Sequence, residues 1–262
     1  MTTSMDLAGK WQQATDMRLP SMAIANIGNC SDGSLRSVRC ALLRYGIAVL
    51  SFSTGRSIDE NIMDVVDFMG TPHVHDGIGR KIWDVRVGGS DGKESLAISH
   101  TDAEFTFHTD CCYENAIPGY IGLYIVHGDR LGGGVSLVAN ANPLINGLSE
   151  KAFEILRTRK FPIRVPLEFK KEVDQIDATI FDEDNNMRYR SDLFLRNEID
   201  GERLCALQEF EKLLAAPSIW RKLSLMDGQL LLLDNKRYLH ARTPILDKAR
   251  HLKRVRFNMR AC

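Results

Sequence analysis

The stretch Phe105-Thr-Phe-His-Thr-Asp110 decides how this chain reads. Phe105 and Phe107 make it apolar, and the turn signal Ile117-Pro-Gly119 follows, so it reads as a short core strand. Side chains on a strand alternate with a period of two, which places His108 and Asp110 on one face. An imidazole and a carboxylate joined by one distant imidazole form a two-His, one-carboxylate set. Such a set suits Fe(II) and leaves three coordination positions open. The triplet alone is weak. With seven histidines and 34 acidic residues in 262, about one His-x-acid triplet is expected by chance. The chain has three: His100-Thr-Asp102, His108-Thr-Asp110 and His127-Gly-Asp129. Context favours the second, which follows apolar residues on a strand. His100 lies in a polar loop, and His127 leaves little chain before the next glycines.

Downstream, residues 120–126 and 133–138 read as strands, separated by Leu131-Gly-Gly-Gly134. Ser149 caps a helix running to about residue 159, and 202–214 carries Leu204, Leu207, Phe210 and Leu214 on one helical stripe. Asp227-Gly228 is a tight-turn pair that launches the apolar strand 229–234. His240 follows and is the expected third ligand. His251, the other downstream histidine, sits among cations and reads as a surface residue. Upstream, 34–45 reads as a helix ending at Gly46, and 47–52 as a buried strand. Ser57 with Glu60 has capping-box spacing and opens a helix that Gly70-Thr-Pro72 stops. The final strand is 250–259.

These elements predict one mainly β domain over residues 1–262, a sandwich or barrel with flanking helices. Residues 1–33 read as an irregular N-terminal arm. Residues 73–103 read as an active-site lid loop over one weak strand, 82–87. Residues 145–225 read as a helical insertion between core strands.

Composition narrows the function. Lys plus Arg and Asp plus Glu are both 34, so net charge is zero and no global field draws the chain to nucleic acid or anionic membrane. The six cysteines are scattered without a CxxC pair and read as reduced thiols of a cytoplasmic protein. No apolar run reaches the roughly 20 residues of a membrane span, and the first residues lack a basic leader pattern.

Arg250, Arg254 and Arg256 lie at even spacings on the last strand, hence on one face. Pointing inward, they would meet a dicarboxylate, which arginine grips with paired hydrogen bonds. Pointing outward, they would form a solvated basic edge.

Together these residues resemble the taurine dioxygenase and clavaminate synthase-like superfamily of Fe(II)/2-oxoglutarate-dependent oxygenases. The matching pieces are His108-Thr-Asp110 with Tyr113 and Pro118; Gly133-Gly-Val-Ser136; Asp234-Asn235; and His240-Ala-Arg-Thr-Pro244 leading to Arg250-His-Leu-Lys-Arg254. Weaker echoes are Tyr45-Gly-Ile-Ala-Val-Leu50 and Met69-Gly-Thr-Pro72. The resemblance spans roughly residues 35–260.

The resemblance implies a double-stranded β-helix, the jelly roll of cupin-like proteins. It implies Fe(II) on His108, Asp110 and His240, with 2-oxoglutarate held at its far carboxylate by Arg250 and Ser136. Arg254 would face the iron and meet the other end of the co-substrate or an anionic group of the substrate. The interval from His240 to Arg250 is closer to the taurine-like branch, so Arg254 and Arg256 compete with Arg250 for the anchor. Glu104, Cys111 and Tyr113 would face the substrate. The implied reaction is oxidation by O2 of an unactivated C–H bond in a small molecule, such as an amino acid or an amine-bearing intermediate, with succinate and CO2 released. Hydroxylation leads; desaturation and cyclisation are open to the same chemistry. Two other classes stand beside it: a metal-dependent hydrolase and a non-catalytic jelly-roll binding protein. The sequence leaves the oligomeric state open.

Overall fold

Four consecutive leucines at 230–233 need apolar surroundings on both faces of a strand. In the computed structural model they have them. Leu230 and Leu232 pack with residues of two helices, while Leu231 and Leu233 pack in the space between two sheets. The structure describes residues 9–28, 32–74, 79–88, 97–169 and 172–260.

In chain order the elements are β1 (Thr15–Asp16), β2 (Ile24–Ile27), α1 (Asp32–Tyr45), β3 (Ile47–Phe52), α2 (Ile58–Met69), β4 (Gly70–Pro72), β5 (Ile82–Arg86) and β6 (Phe105–His108). Then follow β7 (Tyr120–His127), β8 (Ser136–Asn140), α3 (Ala141–Gly147), α4 (Glu150–Thr158), β9 (Phe161–Arg164), β10 (Gln175–Ala178) and α5 (Gly201–Leu214). β11 (Trp220–Leu223), β12 (Gln229–Asp234), β13 (Tyr238–Arg242) and β14 (His251–Met259) complete the chain. Short single-turn helices join several of them.

One sheet runs β1-β11-β8-β13-β6, and a larger one runs β2-β3-β12-β7-β14-β4 with β5 also paired to β14. β9 and β10 form a separate antiparallel pair. The result is a jelly-roll core of two facing sheets. Helices α1 and α2 cover the outer face of the larger sheet: Leu35, Val38, Leu42, Ile62, Val65 and Met69 pack against Leu50, Val255 and Phe257. The segment from α3 to β11 covers the outer face of the smaller sheet, where Phe107, Leu137 and Leu239 meet Phe161, Phe181, Phe210 and Trp220.

Local sequence explains much of this. Ser57 and Glu60 make the reciprocal capping box that starts α2. Gly46 takes a left-handed φ of 72° and ends α1. β14 has two characters: Val255 and Phe257 face the helices, whereas Leu252, Arg254 and Arg256 face the interior.

Several expectations are corrected. The arm is not wholly irregular, since β1 pairs with β11 and β2 with β3, both in parallel. Its residues 1–8 and 29–31 lie outside the described residues. The stretch 145–225 holds helices α4 and α5 but also the β9–β10 pair and β11, a strand of the core sheet. Gly70-Thr-Pro72 stops α2 by becoming β4, paired with β14. His251 is buried, not superficial, and its Nε2 meets the Asp84 carboxylate across the β5–β14 ladder. Of the lid expectation, residues 75–78 and 89–96 lie outside the described residues. Cys40, Cys111, Cys112 and Cys205 are free thiols; Cys30 and Cys262 fall outside the described residues. Among the described residues no helix is long and apolar enough to cross a membrane.

Candidate metal centre and adjoining cavities

β6 and β13 are neighbours, and their register sets His108 directly opposite His240. The next pair is Phe105 with Arg242, so three steps on β6 match two on β13. This irregularity breaks strict alternation. It turns Phe105 to the same side as His108, and the two rings stack with centroids 3.7 Å apart.

Asp110 lies just past the end of β6, on a turn that Asn235 holds. The fully buried Asn235 side chain accepts the Asp110 N–H at 2.8 Å and donates to the carbonyls of Asp110 at 3.0 Å and Pro118 at 2.9 Å. Cys111 follows in a left-handed conformation, φ 56°.

The result is a convergence of three donors. Asp110 Oδ1 lies 3.6 Å from His108 Nε2 and 3.6 Å from His240 Nε2. That is long for a hydrogen bond. It is close to the ~3–3.5 Å separation of donors that share one first-row ion at roughly 2.1 Å. His108 Nδ1 pairs with the Thr106 carbonyl at 2.8 Å, which fixes that nitrogen as the donor and turns the Nε2 lone pair inward. His108 Nε2 is buried without a hydrogen-bond partner. Buried polar atoms are nearly always paired, so these residues fit a divalent metal. Burial and the neighbouring His240 push His108 down to about 3, leaving the ring neutral as a ligand must be. Burial alone would raise the Asp110 carboxyl, but Arg254 and Arg256 hold it well below the usual range.

A second group of potential donors, His73, Cys111 and Glu114, lies nearby. His73 Nε2 and Glu114 are already paired at 2.8 Å, and burial pushes the Cys111 thiol up to about 12. This is a hydrogen-bonded pair beside a neutral thiol. The other two His-x-Asp triplets do not build a centre. His100 Nδ1 meets the Arg86 carbonyl at 3.2 Å, and Asp102 is exposed. Asp129 accepts the backbone N–H groups of Leu131, Leu246 and Asp247, which orders a turn.

Two cavities meet at the three donors, and His108, Phe105, Ser99 and Arg254 line both. The larger, about 570 Å³, has apolar walls from Leu123, Val138, Leu231 and Leu252 and polar groups from Ser136, His240 and Arg250. Arg250 is buried there, and that burial lowers it to about 10. Gly134 makes room for it: φ is 58°, and a Cβ at that position would sit 2.8 Å from Arg250 Nε. Arg242 also lines this cavity, yet its guanidinium donates to the carbonyls of Ile98, Thr101 and Ala103 and staples that segment to β13.

The smaller cavity, about 350 Å³, is lined by Cys111, Tyr113, Glu168, Arg190 and Arg256 among others. Tyr113 stacks on Phe169 with centroids 5.3 Å apart. Arg190 makes an isolated bridge to His108, lies 5.2 Å from the Phe105 ring and binds both carboxylate oxygens of Asp192 at 2.9 Å.

Of the residues expected at the site, His108, Asp110, His240, Ser136, Arg250, Arg254, Cys111 and Tyr113 all border the donors or the cavities. Glu104 lines neither cavity. The irregularity in β6 gives a place in both cavity walls to Phe105. Arg190, Arg256 and the Asn235 clamp were not singled out for these places. Even spacing marked Arg256 and the Asp234-Asn235 pair marked the clamp; Arg190 sits in an irregular stretch with no local signal.

Solved structures with this architecture include asparagine oxygenase in complex with Fe(II), 2S,3S-3-hydroxyasparagine and succinate. It is 18% identical, with 87% of this chain and 78% of that one covered and a TM-score of 0.68. A variant of the non-heme iron oxygenase OrfP in complex with (3S)-hydroxy-L-Arg is 17% identical, with 87% and 79% covered and a TM-score of 0.71. A second structure of asparagine oxygenase is 15% identical over 91% and 93%, with a TM-score of 0.67. At these identities the likeness is one of fold. The sequence profile described as taurine catabolism dioxygenase TauD, TfdA family matches residues 7–256. With nearly the whole chain matched and the donor set in place, this protein belongs to the TauD, TfdA dioxygenase family.

Proposed function

We propose that this protein is an Fe(II)- and 2-oxoglutarate-dependent oxygenase that hydroxylates an unactivated C–H bond of an amino acid or a related small molecule, releasing succinate and CO2. The observation that carries the reading is the buried, unpaired His108 Nε2 converging with His240 and Asp110 where two cavities meet. His108, Asp110 and His240 would hold the iron. With O2 and 2-oxoglutarate, that iron supplies the oxidising power.

The rest is work for the protein's own side chains. Arg250, which lines the larger cavity together with Ser136, would take the distal carboxylate of 2-oxoglutarate. The apolar walls of that cavity suit its methylene groups and exclude water. Arg254 borders both cavities and lies 3.6 Å from Asp110 Oδ2, placed to meet anionic groups near the metal. The smaller cavity would receive the substrate. Its walls carry both signs, Glu168 against Arg190 and Arg256, which suits a zwitterion. The resolved relatives, one with hydroxyasparagine and one with a hydroxyarginine, support an amino acid. A hydrolase would give Arg250 and Ser136 no task.

Anaerobic addition of Fe(II) and 2-oxoglutarate tests this. A weak visible charge-transfer band is expected, lost in His108→Ala and weakened in Arg250→Ala. A shift of that band across a panel of amino acids would name the substrate. Folded, iron-loaded protein without a band would overturn the proposal.

A further inference from the structure

The two oxygens of Asp110 have separate neighbours. Oδ1 faces the two imidazoles, at 3.6 Å from each Nε2. Oδ2 accepts Arg256 Nε at 2.6 Å and has Arg254 Nη1 at 3.6 Å. A contact of 2.6 Å between a guanidinium and a carboxylate is a short, charge-assisted hydrogen bond. It is fully buried on both sides, with Asp110 3% and Arg256 4% exposed. The Arg256 backbone is fixed as well, since its carbonyl accepts the His73 N–H at 2.8 Å and its Cα pairs with Ile121 of β7.

We infer that Arg256 is a positioning residue that holds Asp110 Oδ2 away from the metal, so that the carboxylate binds through Oδ1 alone. The inference rests on the metal reading above and adds to it. A free carboxylate can chelate a divalent ion through both oxygens. Two imidazoles and a chelating carboxylate would fill four of six positions. Two imidazoles and one carboxylate oxygen fill three, leaving two for a chelating 2-oxo acid and one more. Arg256 lines the smaller cavity and not the larger one that holds Ser136 and Arg250. That placement separates it from the co-substrate anchor, a role the even spacing of the arginines left open to it.

The experiment uses Mn(II) as probe on the full chain and counts metal-bound waters by water-proton relaxation. Wild type should hold three exchangeable waters and Arg256→Met two. Arg256→Lys, which keeps a cation near Oδ2, should return the third water. Three waters in a folded Arg256→Met would overturn the inference. Should that variant not fold, wild type alone still decides. On Mn(II) addition the infrared difference spectrum should show the wide splitting of carboxylate stretches given by one-oxygen binding; a narrow, chelate-like splitting would overturn it. If Mn(II) binding to wild type is absent or indifferent to His108→Ala, the metal reading itself falls. If binding needs His108 but wild type shows two waters, the pinning role alone falls.

Discussion

His108 is neutral in the fold because burial and His240 push it down to about 3, whereas an ordinary imidazole titrates near 6.5. In metal-free protein the sign follows directly. Below pH 6.5 the unfolded chain takes up a proton that folded His108 refuses, so stability falls as pH drops from about 6.5 toward 3. Denaturant melts across that window should show the slope, and His108→Gln should flatten it by up to one proton; an unchanged slope would assign the loss to other groups. At this scale the meeting of His108, Asp110 and His240 was legible from the triplet and its apolar context, although Asp110 reaches it from the turn past β6 and not from the face of a strand. The place of Phe105 in both cavity walls was not. It depends on the pairing of β6 with β13, and nothing in residues 105–110 announces the extra step. Arg190 was equally hidden, since its approach to His108 is made by an isolated bridge across a long excursion of chain.

Elements were readable where one segment carried its own signal. The strand at 47–52 and the apolar run at 229–234 coincide with β3 and β12, and the Ser57–Glu60 pair does cap α2. β1, β11 and β13 escaped notice because short strands with charged residues exist by virtue of their partners. Arg242 and His240 on β13 make it look like a loop until β6 and β8 flank it. The turn between β12 and β13 carries the Asn235 clamp, which ties it to the turn after β6. Asn235→Ala would leave the buried Asp110 N–H and the Pro118 carbonyl without partners, at about 3 kcal/mol in denaturant melts. Metal affinity should weaken with it, because Asp110 loses the contact that fixes its backbone. Native stability in that variant would deny the clamp its role.

Across the whole molecule, the three metal donors belong to the smaller sheet and its following turn, whereas Arg250, Arg254 and Arg256 lie on or just before β14 of the larger one. A metal and 2-oxoglutarate held as proposed would therefore tie the two sheets together. A metal and 2-oxoglutarate, each at 100 times its Kd, should each add about 2.7 kcal/mol to stability, seen as a rise in Tm of roughly 5 °C or more. In Arg250→Ala the metal increment should persist and the 2-oxoglutarate increment vanish at the same concentration; equal increments in both proteins would remove Arg250 from the anchor. A different part of the molecule walls the smaller cavity, the proposed substrate side: Glu168, Phe169 and Arg190 come from the excursion between α3 and β11, which packs its own aromatic cluster of Phe161, Phe181, Tyr189, Phe194 and Phe210. Under the proposed function, choice of substrate and oxidising chemistry are encoded on separate stretches of one gene, so substitutions confined to the excursion would alter the first and spare the second.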